Sequence, residues 1–191
     1  MNRWISLPRC FLFLGVCLAM NRAALAQEPE RSSDPDVLLL DLGHREINQE
    51  HLGYGWSSPE KIAGRFISWT NRLEADIRVS PGAVANREVR ILSVPLPHGK
   101  RNQRIGLYVN HRFVGEWVIP FEQQELTWQG CPVPAAFWRE GENILTFRVA
   151  HLSKPASRDK RRLGLKVDKV WIAPAGHPLP GTEAPPEPES P

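Results

Sequence analysis

The residues best equipped for chemistry lie close together. Gly53-Tyr54-Gly55-Trp56-Ser57-Ser58-Pro59-Glu60 is followed at once by Gly64-Arg65-Phe66-Ile67-Ser68-Trp69-Thr70. Indole faces stack on the C–H face of a sugar ring, while carboxylate and guanidinium groups bind its hydroxyls. Trp56, Glu60 and Trp69, joined by Asp159 and Arg161 from far along the chain, therefore form a candidate carbohydrate-binding set. The same residue types also suit a structural role. Tryptophans can fill the mouth of a core, and Glu60 can accept a bidentate pair from Arg161 that ties a long loop down. Ordering such a loop costs about 1–2 kcal/mol per residue, so it must either be held or hold something.

Other reactive patterns are weaker. Ser58-Pro59-Glu60-Lys61 has the S-x-x-K spacing of penicillin-recognising enzymes, but their further motifs are absent, and Ser before Pro is a good helix N-cap. The six histidines form neither H-E-x-x-H nor H-x-H. His44 and His51 with Glu46 and Glu50 could hold a metal or form a solvated loop; we expect no metal and no cofactor. No nucleophile or paired-carboxylate signature stands out, so we expect a protein that is not an enzyme, with an exported glycosidase-like enzyme as an alternative.

The N-terminus explains the charge. Arg3 and Arg9 precede the apolar run Phe11–Met20, and Ala24-Leu25-Ala26 precedes Gln27, the pattern of a secretory signal peptide over residues 1–26. The whole chain has 24 basic against 21 acidic residues, and Arg3, Arg9 and Arg22 lie in that segment, leaving a neutral remainder. Whole-chain charge thus gives no case for a nucleic-acid partner, and association with a membrane would be peripheral at most. Cys10 and Cys17 also lie in the segment, so Cys131 is alone afterwards and the fold must rest on a packed core. The expected localisation is periplasmic or extracellular.

The elements behind these residues read as strands. Val37–Leu40 is a short apolar run, followed by a long loop from about Leu42 to Gly64. Ala75, Ile77 and Val79 alternate with charged residues; Val89–Leu96 and Gln124–Trp128 add strands. Gln103–Ile119 is a hairpin turning at Asn110-His111, with Ile105, Leu107 and Val109 on one face and Phe113, Gly115, Trp117 and Ile119 on one face of the return strand. Pro134–Trp138 suits one helical turn. Leu145, Phe147 and Val149 align in the next strand, and the apolar phase slips near Asp168 in the last, predicting a bulge. This describes an all-β protein, an antiparallel β-sandwich of jelly-roll type. Residues 27–36 are expected to be a linker, 37–174 the sandwich and 175–191 a disordered, extended Pro/Glu-rich tail. The basic runs His98–Arg104 and Lys154–Arg162 should share one end of the sandwich, where they could meet an acidic glycan or lipid phosphates or simply be solvated turns. The same strand parity puts the Trp56 loop at the other end, though its length would let it fold back.

Two resemblances follow. Leu107-Tyr108-Val109-Asn110-His111-Arg112-Phe113-Val114-Gly115, with Pro134 and Gly141-Glu142-Asn143, resembles the sugar-binding-like (galactose-binding-like) sandwich domain of glycoside hydrolases; His111 replaces the usual turn glycine. Gly55-Trp56-Ser57 with Glu60, Trp69 with Ala75, and Asp159 through Arg161 to Leu163-Gly164 look like a bacterial sandwich module found C-terminal to membrane polysaccharide and lipid-linked-sugar glycosyltransferases. In that module the patterns are G-W-x-x-x-E, R-W-x-x-x-x-A and D-x-R-x-L-G; here Phe66-Ile67-Ser68 separates Arg65 from Trp69. The resemblance implies a non-catalytic role near cell-surface glycans: a carbohydrate-binding or interaction module, or a structural partner of an envelope or polysaccharide-assembly complex.

Overall fold

The computed structural model describes residues 34, 36–44, 50–155 and 159–180. The signal segment, most of the linker and residues 181–191 lie outside the described residues, as does Glu46. Two antiparallel sheets face each other. Strands β1 (Leu38–Asp41), β2 (Glu60–Ile62), β3 (Arg65–Trp69), β5 (Arg87–Pro95), β8 (Thr127–Val133) and β10 (Leu165–Pro174) build one sheet in the order β2-β3-β10-β5-β8, with β1 also on β10. The other holds β4 (Glu74–Val79), β9 (Asn143–Val149), β6 (Gln103–Val109) and β7 (Arg112–Ile119) in the order β4-β9-β6-β7. From β3 onward the chain changes sheet at every connection except the β6–β7 hairpin, which is jelly-roll winding.

Alternation drives the packing. Ile77 and Val79 from one sheet and Val89, Ile91, Leu165, Val167, Val170 and Ile172 from the other are all buried in one continuous core, and Ala75 is buried beside them on β4. The expected phase slip is present: the β10–β5 register shifts between Val167 and Lys169, which keeps Val170 and Ile172 inward. Asn110 and His111 adopt positive φ of 50° and 67°, as a tight two-residue turn requires. The helical turn at Ala135–Phe137 is also present.

Three expectations change. The strand read as Gln124–Trp128 instead spans Thr127–Val133, because Gln123 Nε2 donates to Glu125 O at 3.2 Å and holds that stretch in a turn. Phe113 does not share the face of Gly115, Trp117 and Ile119. A shift in the β6–β7 register at Leu107/Tyr108 places it opposite Tyr108, and it is 55 % exposed. The segment after Pro174 is not simply extended. Ala175 N donates to Asn86 O at 3.2 Å, His177 lies 6.0 Å from the buried Trp171 ring, and His177 Nε2 is 3.4 Å from Asp34. Trp171 sits on the outer side of its sheet, and covering that indole rewards the fold-back.

Candidate functional site

The long loop does not stay at one end. His51–Trp56 runs along the free edge of β4: Arg78 N donates to His51 O at 2.8 Å, Gly53 N to Asp76 O at 2.9 Å and Asp76 N to Tyr54 O at 2.9 Å. This carries Trp56 to Thr70, where the two residues bridge. Gly55 permits the approach. Its φ is +87°, and a Cβ there would lie 2.0 Å from Glu74 O. The chain then turns into the β2–β3 hairpin, whose corner uses Ala63 and Gly64 at φ 49° and 85°.

All five sequence-selected residues meet at this corner. The Trp56 indole donates to Asp76 O at 2.8 Å and packs on the main core. Trp69 is only 8 % exposed and clusters with Ile67 and Leu163, so neither of its faces is open for stacking. Arg161 donates to Glu60 and, through Nε at 2.9–3.0 Å, to both oxygens of Asp159. Gly164 closes the corner: its Cβ would meet Thr70 Oγ1 at 2.7 Å, and Thr70 Oγ1 accepts from Leu165 N at 2.9 Å. Trp56, Glu60, Trp69, Asp159, Arg161, Leu163 and Gly164 of the G-W…E, W…A and D-x-R-x-L-G patterns thus each have a partner inside the protein. Arg161 holds the Asp159 carboxyl below its usual range, and the two carboxylates push the Arg161 pKa up. Arg65 stands apart from this group, 3.3 Å from Asp168, whose carboxyl burial pushes up.

The basic runs share this end, as expected, but so does the Trp56–Glu60 stretch, contrary to expectation. The edge pairing along β4 carries it the length of the sandwich. His98 and His151 stack at 4.5 Å, His98 Nδ1 is 2.9 Å from Ser153 Oγ, and burial, His98 and Arg101 together lower the His151 pKa. His51 is held by Arg78 O at 2.8 Å. Among the described residues no group of three His, Cys, Asp or Glu side chains could hold a metal ion.

An accessible chemical surface lies elsewhere, on the outer side of the four-stranded sheet. The register sets two rows across its strands: Glu74, Arg148, Gly106 and Glu116, then Asp76, Thr146, Tyr108 and Phe113. Their chain neighbours Ala75, Ile77, Leu107 and Phe147 are buried, so these side chains face out. Tyr108 and Phe113 meet edge-on at 5.3 Å, and the Arg148 guanidinium lies 4.8 Å from the Tyr108 ring. Arg148 donates to Glu74 and, at 3.2 Å, to Tyr108 OH; Thr146 Oγ1 donates to Asp76 at 2.6 Å; Arg104 Nε donates to Glu116 at 3.1 Å. The carboxylates of Glu116 and Glu74 raise the pKa of Arg104 and Arg148 respectively. The two rings lean over Gly106. A Cβ there would stand 3.4 Å from the Tyr108 ring and 3.7 Å from Phe113. The surface combines exposed ring, planar ion pairs and hydroxyl groups in one plane.

No protein-family model matches the chain, and no curated protein matches it. Among solved structures it is similar to a family 35 carbohydrate binding module from Clostridium thermocellum, with TM-score 0.47 and 13 % identity over 73 % of this chain and 98 % of that one. It is also similar to the C-terminal CBM6 of LamC, a marine laminarinase from Zobellia galactanivorans, with TM-score 0.45 and 11 % identity over 72 % and 98 %. A third is the CBM36-1 domain of a multidomain xylanase from the hindgut metagenome of Trinervitermes trinervoides, with TM-score 0.45 and 9 % identity over 74 % and 99 %.

Proposed function

We propose that this chain is an exported, non-catalytic sandwich module that associates with glycans through the outer face of β4-β9-β6-β7. The carrying observation is Phe113, a phenyl ring 55 % exposed beside a register shift, set edge-on to Tyr108, the two rings standing over Gly106. Core packing gives no reason for a ring to stand there, whereas a pyranose C–H face does. Asp76, Thr146, Glu74 and Arg148 lie at the right height for the hydroxyls around such a ring. Glu74, Asp76 and Glu116 are each already paired with an arginine or a hydroxyl, an arrangement suited to holding a ligand rather than to moving protons. In this proposal Trp56, Glu60, Trp69, Asp159 and Arg161 fasten the long loop that lies along the edge of β4, and the signal-like first 26 residues deliver the module to the envelope.

Affinity electrophoresis through gels containing neutral polysaccharides tests it. Wild type should be retarded by at least one polymer, and Phe113→Ala should migrate freely at unchanged melting temperature. Equal retardation of the two proteins would place the glycan elsewhere, and no retardation in any polymer would remove sugar affinity in favour of a structural role in an envelope complex.

A further inference from the structure

The two basic runs play no part in the outer face, and side-chain bonds join them at the end of the sandwich. His98 Nδ1 lies 2.9 Å from Ser153 Oγ, the His98 and His151 rings stack at 4.5 Å, and Gln103 Nε2 donates to His151 O at 2.9 Å. Gln103 Oε1 accepts in turn from Ala150 N at 3.1 Å and His151 N at 3.3 Å. Gln103 and Ser153 are buried, so these bonds fasten the β5–β6 connection to the β9–β10 connection. Arg101 N donates to His98 O at 3.3 Å, and Arg162 Nη2 donates to Leu152 O at 3.5 Å.

Charge at this joint is one-sided. Neither 96–103 nor 150–155 contains an acidic residue. Lys100, Arg101, Lys154 and Arg162 are exposed, and among the described residues none of them forms a salt bridge. The carboxylates of this end lie to its sides. Glu60 and Asp159 are both bound by Arg161, and Glu122 and Glu125 belong to the β7–β8 connection, tied to Asn102 Oδ1 through Phe121 N at 3.2 Å. The histidines register the excess: burial, His98 and Arg101 together hold the His151 pKa down. An anion beside them would supply the missing counter-charge.

The surroundings select among anions. A bilayer surface rewards apolar side chains that insert, and single-stranded nucleic acid rewards rings that stack on bases. The exposed large hydrophobic residues Tyr54, Phe66, Leu73, Val84, Phe113 and Val118 all lie outside the two joined segments, and neither segment contains Phe, Tyr or Trp. Hydrated lysines and arginines without an apolar anchor suit a hydrophilic chain bearing carboxylate or sulfate groups.

We infer that this end of the sandwich is a binding surface for an acidic polysaccharide, carried by Lys100, Arg101, Lys154 and Arg162 around the His98–His151 pair. It does not rest on the outer-face reading, because it uses other residues and a ligand of different charge. A bound anion favours protonated histidine, so affinity should rise as pH falls through the histidine range.

The test is biolayer interferometry of the full chain at low salt on immobilised polygalacturonate and dextran sulfate, with sedimentation on phosphatidylglycerol vesicles alongside. Dextran sulfate keeps its charge throughout, so a pH effect seen with it belongs to the protein. Wild type should bind at least one polymer, about threefold or more tightly near pH 5.5 than near pH 7.5. Lys100→Ser/Arg101→Ser should weaken binding roughly tenfold at unchanged melting temperature, since both residues are exposed. His98→Gln/His151→Gln should remove the pH dependence; if that variant melts early, the lysine–arginine variant decides alone. Phe113→Ala should bind like wild type. No binding to either polymer would overturn the inference, as would equal binding by Lys100→Ser/Arg101→Ser. Equal binding at the two pH values, loss of binding in Phe113→Ala, or tighter binding to the vesicles than to both polymers would also overturn it.

Discussion

The corner at Trp56–Trp69 and the outer face around Tyr108–Phe113 are made of the same materials: two aromatic rings, arginine, carboxylates and a glycine between them. They differ in what each group already touches. At the corner the indole of Trp56 has spent its N–H on Asp76 O, Trp69 is buried on Leu163, and Gly55 and Gly164 admit backbone and side chain where a Cβ would collide. On the outer face Gly106 lets the Tyr108 and Phe113 rings settle over the strand without collision, and the Phe113 ring keeps more than half its surface exposed. Aromatic–arginine–carboxylate composition is therefore not by itself a binding signal. The free surface of the ring is.

Substitutions should separate the two regions by stability first. Trp69→Ala empties a packed site and should lower stability by about 3–5 kcal/mol in urea unfolding. A loss below 1 kcal/mol, typical of surface substitutions, would return Trp69 to the binding candidates. Gly55→Ala sets a Cβ against Glu74 O at positive φ and should cost roughly 3 kcal/mol; proteolysis near residue 55 would report the released edge. Glu60→Ala should cost about 1 kcal/mol or less, because its side chain is 32 % exposed and such pairs are screened. A larger loss would mean that the corner is drier than its geometry implies.

A fourth substitution turns on pH. Burial raises the Asp168 carboxyl, so its charged form weakens the fold at neutral pH and the penalty fades as pH falls through that raised range. Asp168→Asn should thus melt later than wild type at pH 7, with the gap closing in acid. Asp159 has the opposite sign. Depressed by Arg161, its contribution is complete above the usual carboxylate range and is lost as pH falls through the depressed one. The smallest effect on stability belongs to Phe113→Ala, within about 0.5 kcal/mol.

The period-two pattern made the sandwich readable, because inward residues such as Ala75, Ile77 and Val79 need little context. The meeting of Glu60 with Arg161 was readable as chemistry but not as topology. Strand parity put them at opposite ends, and only backbone pairing along β4 removes that objection. Phe113 could have been placed correctly. A two-residue turn at Asn110-His111 makes 109 and 112 partners and then 108 and 113, so Phe113 must share the face of Tyr108, which alternates with buried Leu107 and Val109. Counting back by twos from Ile119 hid this, because one extra residue at Val114 reverses the phase.

The fold-back over Trp171 has a mechanical consequence. Asp36, just before β1, is bonded through its carbonyl to the buried Arg87 at 2.8 Å, and His177 lies 3.4 Å from Asp34. The chain thus arrives at and departs from the sandwich at one spot, on the six-stranded side. A tension applied through either flank is felt at that spot and does not shear the domain. The outer face of the four-stranded sheet lies on the side of the sandwich away from that spot.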